Sequence, residues 1–237
     1  MLAAVGTMPA GSIIVLHACC HNPTGVDLSR DQWTKVIDAV TARGLIPFLD
    51  IAYQGFGDGI DADGEVVRRF ADTGGPLIVA NSFSKSFSLY GERIGALSVV
   101  TTSKEEAGRV LSQLKRVIRT NYSNPAAFGG KLVSTVLNSS DGRATWETEL
   151  AHMRDRIKSL RHALVEKLTA RIPDADFDFI IDQRGMFSYS GLTTEQVSRL
   201  REEFSIYAID TGRICVAALN AKNLDYVADA IATVSKK

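Results

Sequence analysis

The sequence predicts an α/β fold, with a mainly parallel sheet formed first and a smaller α+β C-terminal part after it. Three observations carry that expectation. Short β-branched apolar runs alternate with amphipathic helical stretches over the first half of the chain, the pattern of βαβ units and parallel pairing. Each run ends in a turn of polar and breaker residues, where open α/β sheets place their ligand sites. Beyond one long helical stretch the chain mixes short strands with helices, without internal repeats, low-complexity tracts or a long linker.

The first strand is expected over Ser12–Ala18, a β-branched run that opens into Cys19-Cys20-His21-Asn22-Pro23-Thr24-Gly25. Proline restricts the residue before it, so the Asn22 amide is aimed by its backbone. Ser29 and Gln32 form a capping box for a helix to Arg43, with Trp33, Val36, Ile37 and Val40 on one face and Gly44 past its end. Leu45–Phe56 carries the second buried strand, with Pro47 in its early part and Asp50 and Tyr53 at its end. A loop rich in glycine and aspartate follows, with a short helix over Glu65–Ala71. Pro76–Ala80 reads as a third strand leading into the Lys85 segment, and Ile94–Val100 as a fourth.

Ser103 caps a helix to about Arg119, broken by Thr120–Pro125, and Pro125 opens the next helix. Asp141-Gly142 reads as a break, followed by one long helix to about Ala170 that Pro173 stops. The rest predicts strands near Phe177–Ile181, Met186–Tyr189, Tyr207–Ile209 and Arg213–Leu219, with helices over Thr193–Phe204 and Asn223–Val234. On this reading residues 1–141 belong to a large cofactor-binding domain. Residues 142–237 hold a long connecting helix and a small C-terminal domain.

With 237 residues, 45% hydrophobic and 23% charged, the chain can bury a sizeable core. Its 27 basic and 27 acidic side chains leave a formal charge of +0, which argues against a nucleic-acid partner. No apolar run approaches the ~18 residues that a membrane span requires. Met1–Gly11 lacks the basic region of a signal peptide. Cys19, Cys20 and Cys215 make no disulfide framework, so a reducing, cytoplasmic setting is expected. Adjacent Cys19 and Cys20 do not have zinc-site spacing, and no metal is expected.

The chemistry gathers at strand ends. Lys85 stands among hydroxyls just past the third strand, and Arg93 follows in the same segment. A lysine alone in a polar turn is ordinarily a solvated surface group. Here it joins Asn22 after the first strand, Asp50 and Tyr53 after the second, and Ser82 after the third, along one edge of a parallel sheet. That set suits a pyridoxal 5'-phosphate enzyme. Lys85 would form the Schiff base and Asp50 would face the pyridine nitrogen. Tyr53 and Asn22 would bond the phenolic oxygen, and Ser82 and Arg93 would hold the phosphate.

The chain also resembles the class I (fold type I) aminotransferases, in the aspartate and aromatic amino acid subgroup. The residues that carry the resemblance are His21-Asn22-Pro23-Thr24-Gly25, Asp50-Ile51-Ala52-Tyr53-Gln54-Gly55-Phe56 and Ser82-Phe83-Ser84-Lys85 with Tyr90-Gly91-Glu92-Arg93. Further along come Arg119-Thr120-Asn121-Tyr122-Ser123-Asn124-Pro125, Gly185-Met186-Phe187-Ser188-Tyr189-Ser190-Gly191, Leu200-Arg201-Glu202-Glu203-Phe204 and Gly212-Arg213-Ile214-Cys215-Val216-Ala217. They occur in the family's order across essentially the whole chain.

The resemblance implies the cofactor roles above, with Lys85 also the proton shuttle. It implies that Arg213, with Asn22, binds the substrate α-carboxylate. It implies that Arg119 reaches, from the neighbouring subunit of a homodimer, a second carboxylate of dicarboxylic substrates. Read from the residues alone, Arg119 is a helix-end cation and Arg213 a strand-edge charge. The Lys85 and Arg213 segments look more like the aromatic (tyrosine) enzymes, with aspartate aminotransferase as the alternative. Either implies amino acid and 2-oxo acid substrates, with 2-oxoglutarate and glutamate as one pair. A β-lyase or decarboxylase would use the same lysine, aspartate and arginine set.

The resemblance covers the family's C-terminal portion. In full members an N-terminal arm, part of the small domain, the first elements of the large domain, a glycine-containing phosphate loop and an aromatic side chain stacked on the cofactor precede it. The expectation is a sheet with exposed edges and weak or no turnover by these 237 residues alone.

Overall fold

The computed structural model describes residues 1–236. The chain folds into two compact units: Met1–Ala18 with Leu28–Leu150, and Cys19–Asp27 with Ala151 onward.

The first unit runs α1 (Leu2–Thr7), β1 (Ile13–His17), α2 (Arg30–Ala42), β2 (Ile46–Ile51), α3 (Ile60–Asp63), α4 (Glu65–Ala71), β3 (Leu77–Ser82), β4 (Gly95–Val100), α5 (Lys104–Asn121), α6 (Ala127–Leu137) and the first part of α7 (Ser140–Arg171). Its sheet has the order β1-β2-β3-β4. β1, β2 and β3 are parallel, with His17 opposite Asp50 and Asp50 opposite Ala80. β4 returns antiparallel, with Ser82 opposite Gly95. The carboxyl ends of β1–β3 and the start of β4 therefore share one edge, the ligand edge of an open α/β sheet.

Local sequence sets these elements. At the start of α2, the Ser29 side chain accepts the Gln32 N–H while the Gln32 side chain accepts the Ser29 N–H. At its end, Gly44 takes φ +64° and donates to Thr41 O at 3.0 Å, and Leu45 donates to Val40 O at 3.0 Å, closing the helix as a Schellman motif. Its apolar face, Trp33, Val36, Ile37 and Val40, is buried. Leu49, Ile51, Leu77, Val79 and Phe70 are among the other buried apolar side chains of this unit, each such side chain contributing about 1.5–3 kcal/mol by leaving water. β1 is covered on one face only: Leu16 is buried, whereas Ile13 and Val15 are exposed.

The second unit holds the rest of α7, a 3₁₀ turn at Asp178–Ile180, β5 (Phe187–Tyr189), α8 (Thr194–Phe204), β6 (Arg213–Cys215), a second 3₁₀ turn at Val216–Ala218 and α9 (Leu224–Ser235). β5 and β6 pair antiparallel, with Tyr189 opposite Arg213. Leu164, Leu168, Ile180, Val197, Leu200 and Ile231 are buried around them.

Several local expectations are corrected. Asp141-Gly142 is no break: Ser139 Oγ accepts the Gly142 N–H at 3.1 Å, and α7 starts at Ser140 with Asp141 in its first turn, where an acid complements the helix dipole. α6 starts at Ala127 rather than at Pro125. Phe177–Ile181 is a 3₁₀ turn, because Asp176 Oδ1 accepts the Asp178 N–H and tightens the backbone there. Tyr207–Ile209 forms no strand, and the strand expected over Arg213–Leu219 ends at Cys215, where the second 3₁₀ turn begins. These apolar runs are too short for periodicity to separate strand from turn.

Candidate functional site

In the first unit the sheet's ligand edge carries Asp50, Tyr53, Ser82, Lys85 and Arg93. Asp50 sits at the carboxyl end of β2, half-buried. Tyr53 is buried just beyond it. The Lys85 Nζ lies 4.6 Å from the centroid of the Tyr53 ring, a cation–π contact that points the amine along the ring face.

The turn that bears Lys85 is pinned on all sides. Phe83 donates its N–H to Ile94 O, Phe87 to Phe83 O and Ser88 to Lys85 O. Ser84 and Ser86 are buried, and Ser84 donates its N–H to Ser82 Oγ at 3.2 Å. From α7 the Trp146 indole donates to Ser86 O at 2.7 Å and stacks on Phe87 at 4.6 Å between centroids. The lysine thus stands on a backbone with little freedom, which a reactive amine requires for repeated alignment.

Arg93 is exposed and donates from Nη1 to Tyr90 O at 2.8 Å. Its φ is +51°, a conformation that residues other than glycine seldom adopt and that costs about 1–3 kcal/mol. Arg119 stands apart on the last turn of α5, exposed, and donates to Ser123 Oγ at 2.5 Å.

The loop after Tyr53 is tied by Asp63. This buried carboxylate accepts the N–H groups of Gly55 and Gly57 at Oδ2 and of Asp58 at Oδ1, at 2.7, 2.9 and 2.8 Å. A side chain on Gly57 would place its Cβ 2.4 Å from Asp63 Oδ1, so glycine is required where the backbone crosses the carboxylate. Burial raises the Asp63 pKa, with the backbone N–H donors acting in the opposite direction.

The second unit brings together Asn22 and Arg213, far apart in sequence. Arg213 Nη1 donates to Asn22 Oδ1 at 3.0 Å, and its guanidinium carbon lies 4.8 Å from the centroid of the Phe187 ring. The Asn22 loop is held by Asp27, whose carboxylate accepts the Cys20 and His21 N–H groups at 2.7 and 2.8 Å. Arg184 N–H donates to Gly25 O and Tyr189 N–H to Thr24 O. The Asn22–Pro23 bond is cis. Gly25, at φ +71°, has no room for a side chain, since a Cβ would lie 2.7 Å from Phe187 O.

Three supporting residues escaped the sequence reading: Trp146, Asp63 and Arg161. Trp146 reads as one more apolar position of a helix and Asp63 as one acid of a loop. Arg161 is 2% exposed and stands among solvated charges in the sequence. The one available signal was Arg161's place between Leu160 and Leu164 on the helix's apolar stripe.

Comparison with known proteins supplies the family. The sequence model described as "Aminotransferase class I and II" matches residues 1–231. The chain is 61% identical over 234 residues to an aspartate aminotransferase of Pseudomonas aeruginosa, covering 99% of this chain and 59% of that protein. It is 54% identical over 234 residues to an aromatic-amino-acid aminotransferase of Escherichia coli, with the same coverage of 99% and 59%. A crystal structure of the aromatic-amino-acid aminotransferase of Burkholderia pseudomallei, covalently bound to pyridoxal phosphate, superposes with a TM-score of 0.98 at 64% identity, covering 100% of this chain and 59% of that one. The chain thus spans about 59% of the length of these relatives, and it belongs to the class I and II aminotransferases.

Proposed function

We propose that the protein transfers amino groups between an aromatic or dicarboxylic L-amino acid and 2-oxoglutarate, using pyridoxal 5'-phosphate held at Lys85. The observation that carries the reading is the pinned Lys85 amine over the Tyr53 ring, on the sheet edge that also bears Asp50, Ser82 and Arg93. The donor set fits the cofactor group by group: an amine for its carbonyl, a carboxylate for its ring nitrogen, a phenol for its phenolic oxygen, and a hydroxyl and a guanidinium for its phosphate. The strained backbone at Arg93 supports a ligand role, since such conformations concentrate at ligand clamps.

When bound, the cofactor withdraws electrons from the substrate α-carbon, which lets its proton be moved. Lys85 Nζ takes that proton and returns it, as general base and then acid. Asp50 keeps the ring nitrogen protonated, because an adjacent carboxylate favours the charged form. Ser82 Oγ accepts the Ser84 N–H and keeps its own proton to donate to a phosphate oxygen. In the second unit Arg213, already aligned on Asn22, takes the α-carboxylate through paired N–H donors, and Asn22 bonds the phenolic oxygen. Residues 1–141 form the cofactor-binding domain in this reading, with residues 142–237 as the connecting helix and small domain.

A homodimer belongs to the same proposal, with Arg119 given to the neighbouring subunit's site. Leu111, Val117, Tyr122 and Phe128, all exposed on and between α5 and α6, supply apolar surface for it. A cytoplasmic setting is supported by the three cysteines, which no disulfide joins. No helix among the described residues is long and apolar enough to cross a membrane.

The deciding experiment adds pyridoxal phosphate to the purified chain, reduces with borohydride and maps the peptides. A pyridoxyl mass on the peptide containing Lys85 is expected; its absence there, or its appearance on scattered lysines, overturns the reading. Oxo acid formation that requires a matching acceptor separates transamination from lysis or decarboxylation. Comparing tyrosine with aspartate as donors then fixes the preference. In the protein that turns over, Arg119→Ala should lower kcat/KM for aspartate roughly 10- to 100-fold, the worth of a charged hydrogen bond, and leave tyrosine nearly unaffected. Equal losses on both donors would remove Arg119 from substrate recognition.

A further inference from the structure

Arg161 lies on α7 in the second unit and is 2% exposed. Burying a guanidinium costs several kcal/mol even after relaxation, and an apolar side chain of similar volume is often no worse there. The usual compensation is an acid. Among the described residues, those that bond Arg161 are all neutral: Ser188 Oγ accepts from Nε at 3.3 Å, and Gly185 O and Phe187 O accept from Nη2 at 2.7 and 3.3 Å. These three hydrogen bonds go to one stretch, Gly185–Ser188, which leads into and begins β5. Ser188 itself is 0% exposed.

That stretch carries the Phe187 ring, and the Phe187 ring faces the Arg213 guanidinium at 4.8 Å. Arg213 has a long side chain that would otherwise sample many rotamers. Two neighbours hold it, the Phe187 ring and Asn22 Oδ1. Phe187 is fixed in turn by β6, through its pairing opposite Cys215, and by Arg161 through its carbonyl. Arg156, on the same helix, donates to Ala217 O and Leu219 O just past β6 at 3.3 and 2.7 Å. One helix thus bonds the backbone at the start of β5 and the backbone just past β6, the strand that carries Arg213.

We propose that Arg161 is a positioning residue for Arg213: by gripping Gly185–Ser188 from inside, it keeps the Phe187 ring under the Arg213 guanidinium and so presents a pre-aligned carboxylate clamp. The clamp role rests on the function proposed above; the positioning does not. Pre-alignment raises affinity by removing the cost of ordering the side chain at binding, about 0.5–1.5 kcal/mol for each such side chain. That corresponds to roughly 2- to 12-fold in Kd.

The test is NMR on the whole chain, using the Arg213 side-chain Nε–H signal, assigned by its loss in Arg213→Lys. Wild type should show an ordered guanidinium. In Arg161→Met the Arg213 order parameter should fall below about 0.6 while the backbone amides of β5 and β6 keep their order. A guanidinium as ordered as in wild type, in a folded Arg161→Met chain, overturns the proposal. If that variant fails to fold, Arg161→Lys decides by the same criterion, since it keeps the charge and stem but gives up the three-acceptor fork. A second arm titrates 3-phenylpropanoate, a carboxylate without an amine. Its Kd should weaken severalfold in Arg161→Met and be lost in Arg213→Met. Unchanged affinity in Arg213→Met, or no binding by wild type, would defeat the clamp reading for this chain and leave the positioning result standing on the NMR data.

Discussion

Lys85→Ala is expected to abolish the borohydride-stable pyridoxyl adduct and, in the protein that turns over, to cut transamination by at least about 10²–10⁴-fold, the worth of a positioned general acid–base. The loss combines two roles in one atom. In the proposed mechanism Nζ would both hold the cofactor covalently and move the substrate's proton, so no neighbouring group could replace it in both. The fold should be unaffected. The turn that bears Lys85 is held by its backbone bonds, by the buried Ser84 and Ser86, and by Trp146, none of which involves the lysine amine. Trp146 fluorescence in the variant should therefore match wild type. Persistence of an adduct at the same peptide, or of turnover within a few-fold of wild type, would take Lys85 out of the mechanism. Lys85→Arg makes the complementary case. It keeps a cation near the Tyr53 ring but cannot form the covalent bond, and it should be as inactive as the alanine variant.

Asp63→Ala should destabilise the first unit by at least about 2 kcal/mol. Three backbone N–H groups lose their acceptor. Gly55 and Gly57 are buried, and each buried donor left unsatisfied costs about 1–3 kcal/mol. Water can reach Asp58, which is exposed. Both tryptophans, Trp33 and Trp146, lie in the first unit, so urea unfolding followed by their fluorescence reads that unit. Asp63→Asn is the informative partner, because its amide NH₂ must confront a backbone N–H, donor against donor.

The pH dependence follows from the raised Asp63 pKa, whose main cause is burial. With the folded-state value above the ordinary 3.8, the fold favours the protonated carboxyl. The stability from that preference is whole below 3.8 and is lost as pH rises through the folded value, at no more than about 1.4 kcal/mol per unit. The amide in Asp63→Asn does not titrate and carries no such slope. The gap between wild type and Asp63→Asn should therefore narrow as pH climbs above about 4. A gap that widens would mean that the N–H donors outweigh burial and hold the group ionised. An Asp63→Ala chain as stable as wild type would mean that water replaces the carboxylate.

Much of the first unit was readable residue by residue. The capping box at Ser29, the Schellman glycine at Gly44, the strand-length apolar runs and the short Glu65–Ala71 helix are all decided within a few positions, by hydrogen bonds and side-chain periodicity that the local sequence contains. The candidate site residues at strand ends were legible for the same reason: parallel pairing places successive strand ends on one edge. Short apolar runs misled where one turn of backbone could be either extended or 3₁₀. Phe177–Ile181 and Tyr207–Ile209 show this, since neither run has the length for a period to emerge.

What the sequence by itself determined is the order of the elements, the family they belong to, and the candidate site residues at the strand ends. What only the tertiary structure decided is how those groups are held. Asp63 under the Tyr53 loop, Trp146 against the Lys85 turn, and Arg161 behind Phe187 act on backbone groups 5 to 60 residues away. Apart from Ser188 Oγ, which accepts from Arg161, the acceptor or donor they meet is a peptide group, which every residue carries alike. No local pattern can mark such a contact, and only folding shows which carbonyl or N–H stands opposite.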